Sequence, residues 1–393
     1  MAIRVAFINT HPIQYFAPLY AYLNAADDIS VTALYLSDYS LRGGLDPGFG
    51  REVKWDIDML AGYEARFVEG APARSAADGF LSMVAPAIWD EVRSGGYDAL
   101  VVHGHTPAAM LVAIAAAISV GTPVFIRGET HLGLERSPLK TALRRPLMGA
   151  FYGRLAGALA IGTANAAFYR AMGVPGARIF SVPYAVDNAR FMAASQLTKA
   201  ERAAARRSLG VADAAPIVLF AAKFTRRKRP DDLLRAAAIL HRSGTAFHLV
   251  MVGSGEMEAA LRVLAHDLAL ENVRFVGFVN QNDLPAIYAA SDIFVLPSGN
   301  EPWGLAVNEA MCARLPIVLS EEIGCAPDLV RGGANGQTFR AGDVPALTEA
   351  LRPLIADRAL RERMGESSRR IIARWSYAEC LDGLRAALAS VTH

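Results

Sequence analysis

The sequence predicts an α/β protein built from two doubly wound, Rossmann-like parallel-sheet domains. Short runs rich in Val, Ile and Phe alternate with longer Ala/Leu segments of helical period, the signature of βαβ units around parallel sheets. The runs fall into two sets separated by a polar, helix-forming stretch. At 393 residues the chain also exceeds what one hydrophobic core usually serves, so two cores of roughly 150 to 200 residues are expected.

In the first set the expected strands are RVAFIN (4–9), SVTALYL (30–36), ALVVHG (99–104), PVFIRG (123–128), ALAIG (158–162) and IFSVPY (179–184). The second set is PIVLFAA (216–222), HLVMVG (248–253), VRFVGFV (273–279), IFVLP (293–297) and PIVLS (316–320). Between them, 187–216 carries no strand candidate and reads as the linker. The run PAAMLVAIAAAISV (107–120) is too short for a bilayer span, which needs about 20 residues, and reads as a core helix. RWSYAECLDGLRAALASV (374–391) is amphipathic and can pack on either domain. The expected domains are therefore 1–190, joined by the C-terminal helix 374–393, and 191–373. Sheets of this kind bind ligands at the carboxyl ends of their strands, so a cleft faced by both domains is the expected site.

Composition excludes several classes. Apolar residues make up 53%, and 40 Lys and Arg nearly balance 38 Asp and Glu; this is neither a disordered chain nor one that coats nucleic acid. The opening MAIRVAFINTHP is too briefly apolar for an export signal and reads as a buried first strand. Cys312, Cys325 and Cys380 lack paired or metal-like spacing, which fits a reducing cytoplasm.

The chemistry concentrates in the second set. SGNEPWGLAVNEAMC (298–312) places Glu301 just past the strand IFVLP. The helix after it presents unpaired first amides and the positive end of its dipole, a place for a phosphate or polar sugar. Glu309 lies about two turns into that helix, where a carboxylate accepts two hydrogen bonds from a vicinal diol such as ribose. Standing alone, the same residues read as a solvated loop acid and one half of a surface ion pair; the company they keep is what argues for a site.

FAAKFTRRKRP supplies Lys223, Arg226, Arg227, Lys228 and Arg229 at the end of another strand. Cations there neutralise a diphosphate and the charge that develops as it leaves; the bland reading is a basic turn balanced by Asp231 and Asp232. MVGSGEMEAAL offers Gly253 and Gly255 in a Gly-x-Gly turn, a weak signal without a third spaced glycine. VVHGHTP puts His103 and His105 at the end of a first-set strand, His103 as a structural histidine and His105 as a ligand contact.

As a set these residues resemble the retaining GT-B glycosyltransferases of family 4. The resemblance is strongest over 215–345, where FAAKFTRRKRP, VMVGSG, VRFVGFV, DIFVLPSGNEPWGLAVNEAMCARLPIV and GCAPDLV follow in the family's order. It extends more weakly to THPIQYFAPL, VVHGHTP, RGETHL and IGTANAAFYRAMGVPGARIFSVPYAVD.

The resemblance implies that Glu301 contacts hydroxyls of a donor sugar and Glu309 the ribose. The amides around Trp303, Gly304 and Leu305 would meet the sugar or diphosphate. Lys223, where many members carry Arg, and Lys228 would hold the diphosphate, and backbone groups from Gly277 to Val279 the base. His105 would stand near the reacting sugar. Where many members have a Gly-Gly loop this chain has NTHPIQYF, so His11 and Gln14 are expected on the acceptor side, together with Glu129 of RGETHL. Tyr184-Ala185 replaces the family's Asn-Gly.

The implied reaction moves a hexose from a nucleoside diphosphate sugar, UDP-sugar on family grounds, to a hydroxyl of a glycan, lipid or lipid-linked acceptor. Since Glu301 is expected at distal hydroxyls rather than at the anomeric carbon, retention would proceed by same-face displacement, with no metal ion. RSPLKTALRRPLMGAFYGRL (136–155) carries five cations and no acid; it reads as a peripheral contact with the anionic inner membrane face, or as a solvated helix face. The competing readings are a nucleotide-sugar 2-epimerase of the same architecture and a nucleotide-sugar-binding protein without catalysis.

Overall fold

The computed structural model describes residues 2–46, 48–71, 79–134 and 138–391. The chain divides into two compact units, Met1–Gly44 with Val53–Asp187 and Ser376–His393, and Leu45–Glu52 with Asn188–Trp375.

Fifteen strands run through the described residues: β1 (Ile3–Asn9), β2 (Ile29–Tyr35), β3 (Gly44–Asp46), β4 (Arg51–Val53), β5 (Glu64–Phe67), β6 (Ala99–His103), β7 (Val124–Arg127), β8 (Gly157–Ala160), β9 (Ile179–Ser181), β10 (Ile217–Ala221), β11 (His248–Val252), β12 (Val273–Gly277), β13 (Ile293–Leu296), β14 (Ile317–Ser320) and β15 (Gly336–Phe339). The first unit holds a sheet in the order β5-β2-β1-β6-β7-β8-β9, and the second a sheet in the order β12-β11-β10-β13-β14-β15. Every pairing within both sheets is parallel. The short β3 and β4 pair with each other.

Apolar runs make the central strands because helices cover both faces, so inward and outward residues alike leave water. Val5 to Ile8, Leu100 to Val102 and Ile217 to Phe220 are all buried. The Ala-rich segment forms the helix Ala108–Ser119, which buries Ala109, Met110, Ala113, Ala116 and Ala117. No helix among the described residues is long and apolar enough to cross a membrane.

In both sheets the chain first builds outward in one direction and then returns to build in the other. The reversal lies between β1 and β6 in the first sheet and between β10 and β13 in the second. At such a point the loops leaving neighbouring strands part to opposite faces and open a crevice at the carboxyl ends.

The stretch 187–216 is not a free linker. It forms the helices Asn188–Ala194 and Lys199–Ser208, and the second is fastened to the second unit by charge. Arg206, 7% exposed, donates from Nη1 to Asp292 at 3.0 Å, and Arg202 reaches the same carboxylate at 2.9 Å. Asp292 also accepts from the Ile217 amide at 2.8 Å, so one carboxylate joins this helix to β10 and the start of β13. A capping box at Thr198 and Glu201 begins the helix. In the first unit, the helix Tyr377–Ala389 donates from Cys380 Sγ to the Pro183 carbonyl at 3.0 Å. Its Arg385 pairs with Asp28 at 2.7 Å.

Removing the carboxylate of Asp292 leaves a buried guanidinium uncompensated, so Asp292→Ala should destabilise the second unit by about 3 kcal/mol. Arg385→Ala, at the exposed pair, should barely move the first unit's melting transition. Thermal unfolding of the two variants checks this, and an Asp292→Ala transition indistinguishable from wild type would refute the assigned role.

Candidate active site

The second unit brings Lys228 and Glu301 together at its chain reversal. After β10 the chain enters a single 3-10 turn, Arg226–Lys228; after β13 it passes through 297–304 before the helix Leu305–Cys312. The two loops are joined backbone to backbone, the Gly299 amide donating to the Arg227 carbonyl at 2.8 Å. A third loop, following β14, grips Glu301 from the other side: the Glu301 amide donates to the Glu322 carbonyl at 3.3 Å, and the Gly324 amide to the Glu301 carbonyl at 2.9 Å. Three adjacent strands thus fix one glutamate.

Glu301 is 6% exposed, which rules out the solvated loop acid. Its Oε2 lies 2.5 Å from Lys228 Nζ and 3.2 Å from Arg227 Nη1. Burial pushes the Lys228 pKa below its ordinary value, with Arg227 and Lys223 adding to the push and the Glu301 carboxylate opposing it. The remaining cations of the basic run diverge. Arg229 turns to Asp232 at 2.6 Å, and Arg226 is exposed.

Lys223 has its own anion. Asp46, in the segment Leu45–Glu52 that groups with the second unit although the sequence assigns it to the first, meets Lys223 Nζ at 2.7 and 2.9 Å. The same segment lays the Phe49 ring 4.6 Å from Lys223 Nζ and 4.9 Å from the Phe278 ring. Phe278 lies between Gly277 and Val279, the expected base-recognition stretch.

Gly253 and Gly255 serve close backbone approach. A Cβ at 253 would stand 2.0 Å from the Ala222 carbonyl oxygen, and one at 255 would stand 2.7 Å from that of Phe224, both at positive φ. Trp303 is 2% exposed and donates from Nε1 to Asn308 at 3.0 Å, so its indole serves the interior and its backbone remains on the loop. Gly304, at φ +94°, precedes Leu305 as an N-cap with no side-chain capping bond. Glu309 is 1% exposed and accepts from the Tyr288 hydroxyl at 2.7 Å, which excludes a surface ion pair.

The first unit has a cavity of about 300 Å³ at its own reversal, lined by residues leaving β1, β6 and β7, among them Asn9, Thr10, His103, His105, Arg127 and Glu129. His103 meets the Tyr20 hydroxyl at 2.8 Å; desolvation, with Arg127 adding to it, holds its pKa well below the usual value and the ring neutral. His105 lies against Phe151, with ring centroids 5.5 Å apart. Glu129 is exposed and accepts from the Tyr184 hydroxyl at 2.6 Å.

His11 and Gln14 are not among the residues that line this cavity. The His11 ring bonds Thr10 Oγ1 at 2.8 Å and packs on Tyr39, while Gln14 sits in the turn before the helix Ala17–Asn24. No role was expected of Arg127, Tyr184 or Asp46. For Arg127 a signal existed, a cation ending the apolar run PVFIR. Lys223, the partner of Asp46, lies 177 residues away in the chain, and no local pattern joins the two.

Among the described residues no group of three or more His, Cys, Asp or Glu is arranged to hold a metal ion. The three cysteines are buried free thiols. Of the basic stretch 136–155, Arg136 and Ser137 lie outside the described residues, and Pro138–Gly153 forms a helix.

Residues 201–371 match the family model of glycosyl transferases group 1, and residues 13–185 match the glycosyl transferase 4-like domain. The chain is 32% identical over 204 residues to a GDP-mannose-dependent monoacylated α-(1-6)-phosphatidylinositol monomannoside mannosyltransferase of Corynebacterium glutamicum, covering 50% of this chain and 52% of that protein. It is 35% identical over 215 residues to the D-inositol 3-phosphate glycosyltransferase of Nocardia farcinica, covering 53% and 46%. The chain therefore spans about half the length of the curated relatives it matches. In fold it is similar to Anabaena HepE in complex with UDP, at TM-score 0.76, 18% identity and full coverage of both chains. It is also similar to sucrose-phosphate synthase of Thermosynechococcus elongatus, at TM-score 0.72 and 17% identity, covering 98% of this chain and 97% of that one. The chain belongs to the group 1 glycosyltransferases and has their two-domain GT-B fold.

Proposed function

We propose that the protein transfers a hexose, with retention, from a nucleoside diphosphate sugar to a hydroxyl of a glycan, lipid or lipid-linked acceptor. The observation that carries this reading is the buried Glu301 carboxylate paired with the largely covered Lys228 and the exposed Arg227 at the chain reversal of the second unit.

Sugar transfer requires that the departing diphosphate be stabilised as charge develops on it. Without ligand, Glu301 occupies Lys228 and Asp46 occupies Lys223. A bound donor exchanges these partners. Its diphosphate takes the two ammonium groups and Arg227, whose fork suits phosphate oxygens. Its sugar hydroxyls then donate to the acceptor-only carboxylate of Glu301. The start of the helix Leu305–Cys312, after Gly304, adds backbone amides on the same loop. In this reading the positive charge comes from side chains, and no metal ion is required.

Glu301 is committed to the sugar's hydroxyls, so no nucleophile is assigned; the departing phosphate oxygen takes the acceptor proton on the same face. Glu309 receives the ribose diol and the backbone from Gly277 to Val279 the base. The acceptor binds in the first unit's cavity, where His105 and Glu129 line the wall. The carrier we propose is UDP, on the resemblance and on the UDP held by Anabaena HepE. GDP is the second reading, favoured by the Corynebacterium relative. Peripheral membrane contact through the helix Pro138–Gly153 is proposed on the exposure of Arg145 and of Leu147, which is 72% exposed.

Incubation with UDP-, GDP- and ADP-hexoses should release nucleoside diphosphate fastest from the UDP-sugar, without isomerising it; isomerisation without release would establish the epimerase instead. Glu301→Ala and Lys228→Ala should each lower kcat/KM by on the order of a hundredfold or more while melting as folded proteins. Turnover retained in both would refute the site.

The lowered Lys228 pKa fixes the sign of a pH effect. The ammonium is present below that pKa and is lost at a lower pH than the ordinary 10.5 of lysine. The kcat/KM profile should therefore fall on the alkaline side below that value. Lys228→Arg, which stays charged, should flatten that limb; an identical limb in the variant would exclude Lys228 as its source. Vesicles containing anionic lipid should co-sediment the protein, and Leu147→Glu should weaken this; equal recovery with neutral vesicles would refute the membrane contact.

A further inference from the structure

Arg127 is buried without a counter-charge. It ends β7, is 3% exposed, and yet lines the first unit's cavity. Its Nη2 reaches the Pro183 carbonyl at 3.3 Å, long for such a bond. Its Nε has no hydrogen-bond partner, and the residue belongs to no ion pair among the described residues. What surrounds the guanidinium is aromatic: the rings of Phe16 and Tyr184 lie 5.5 and 5.4 Å from Cζ.

The buried titratable groups around it are neutral. Burial raises the pKa values of Tyr20, Tyr169 and Tyr184, and it lowers that of His103. The carboxylate found among the cavity-lining residues is Glu129, exposed to solvent and engaged by the Tyr184 hydroxyl. A guanidinium cannot shed its proton. A permanent charge with an orphaned buried donor is costly unless something supplies the missing acceptors. A neutral polyol supplies acceptors but no charge, whereas a phosphate or carboxylate supplies both and matches the planar fork.

We propose that Arg127 anchors an anionic group, a phosphate or a carboxylate, carried by the acceptor substrate. This rests on the sugar-transfer reading and narrows it: the acceptor is an anionic hydroxyl compound whose charged group sits on Arg127. The cavity, about 300 Å³, is at the small end of ligand sites and suits one substituted ring. An acceptor lacking the anion would leave the guanidinium unpaired, and the site would reject it accordingly.

The test is calorimetric titration of the 393-residue chain, its Arg127→Lys and its Arg127→Met variants with D-glucose 6-phosphate, D-glucuronate and D-glucose. Both variants are first required to keep the wild-type far-UV spectrum and melting profile, and UDP affinity, which reports on the second unit, is the internal control. Wild type should bind at least one anionic probe tenfold or more tighter than D-glucose; the tighter of the two identifies phosphate or carboxylate as the recognised group. Arg127→Met should abolish that preference, and Arg127→Lys, keeping charge without the fork, should retain part of it. Equal binding of charged and neutral probes, no binding of either anionic probe at millimolar concentration, or a preference that survives Arg127→Met would each overturn the inference. A wild-type protein that binds no nucleotide or nucleotide sugar would instead refute the transfer reading, which is a separate result.

Discussion

The contact between Lys228 and Glu301 organises the second unit's site, and it exists because the chain reverses direction between β10 and β13. Neither charge is stable alone at that depth: desolvation works against the ammonium, and a carboxylate 6% exposed needs a cation. Each compensates the other, and three loops from three adjacent strands hold them in register. Such a pair contributes little to stability compared with apolar packing. In the proposed reading its value is that it is preorganised and exchangeable, so that an incoming diphosphate takes the cations and sugar hydroxyls the anion without either being rehydrated.

The same topological rule produces the first unit's cavity, between the loops that leave β1 and β6, but with different electrostatics. In the second unit each lysine of the group has an acid, Glu301 for Lys228 and Asp46 for Lys223. The first unit surrounds one permanent cation with neutral tyrosines and a neutral histidine. One arrangement suits a ligand that displaces internal partners, the other a ligand that brings its own charge. Segment 45–52 belongs with the first kind, since its Asp46 carboxylate and Phe49 ring rest on Lys223 and Phe278.

The buried strands were legible because central parallel strands are apolar on both faces and read as unbroken runs. β5 and β15 were not: EARF and GQTF lie at sheet edges, are partly exposed and mix polar with apolar residues. IFSVPY ends as a strand at Ser181, two residues before Pro183, which has no amide to offer a ladder. Stretch 187–216 looked like a linker because its helices are polar, yet its arginines are what fasten it to Asp292. Glu301 and Lys228 could be singled out from their spacing after apolar strands and from the resemblance. The pairing of Lys223 with Asp46, 177 residues away, and the isolation of Arg127 depend on how distant segments pack, which no local pattern encodes.

The most direct test of this account is a crystal structure of the protein with an intact nucleotide sugar bound. The account predicts diphosphate oxygens about 3 Å from Lys228 Nζ, Lys223 released from Asp46, and Glu301 accepting from hydroxyls of the sugar. A nucleotide sugar seated elsewhere, with the Lys228–Glu301 and Lys223–Asp46 pairs both intact, would contradict it.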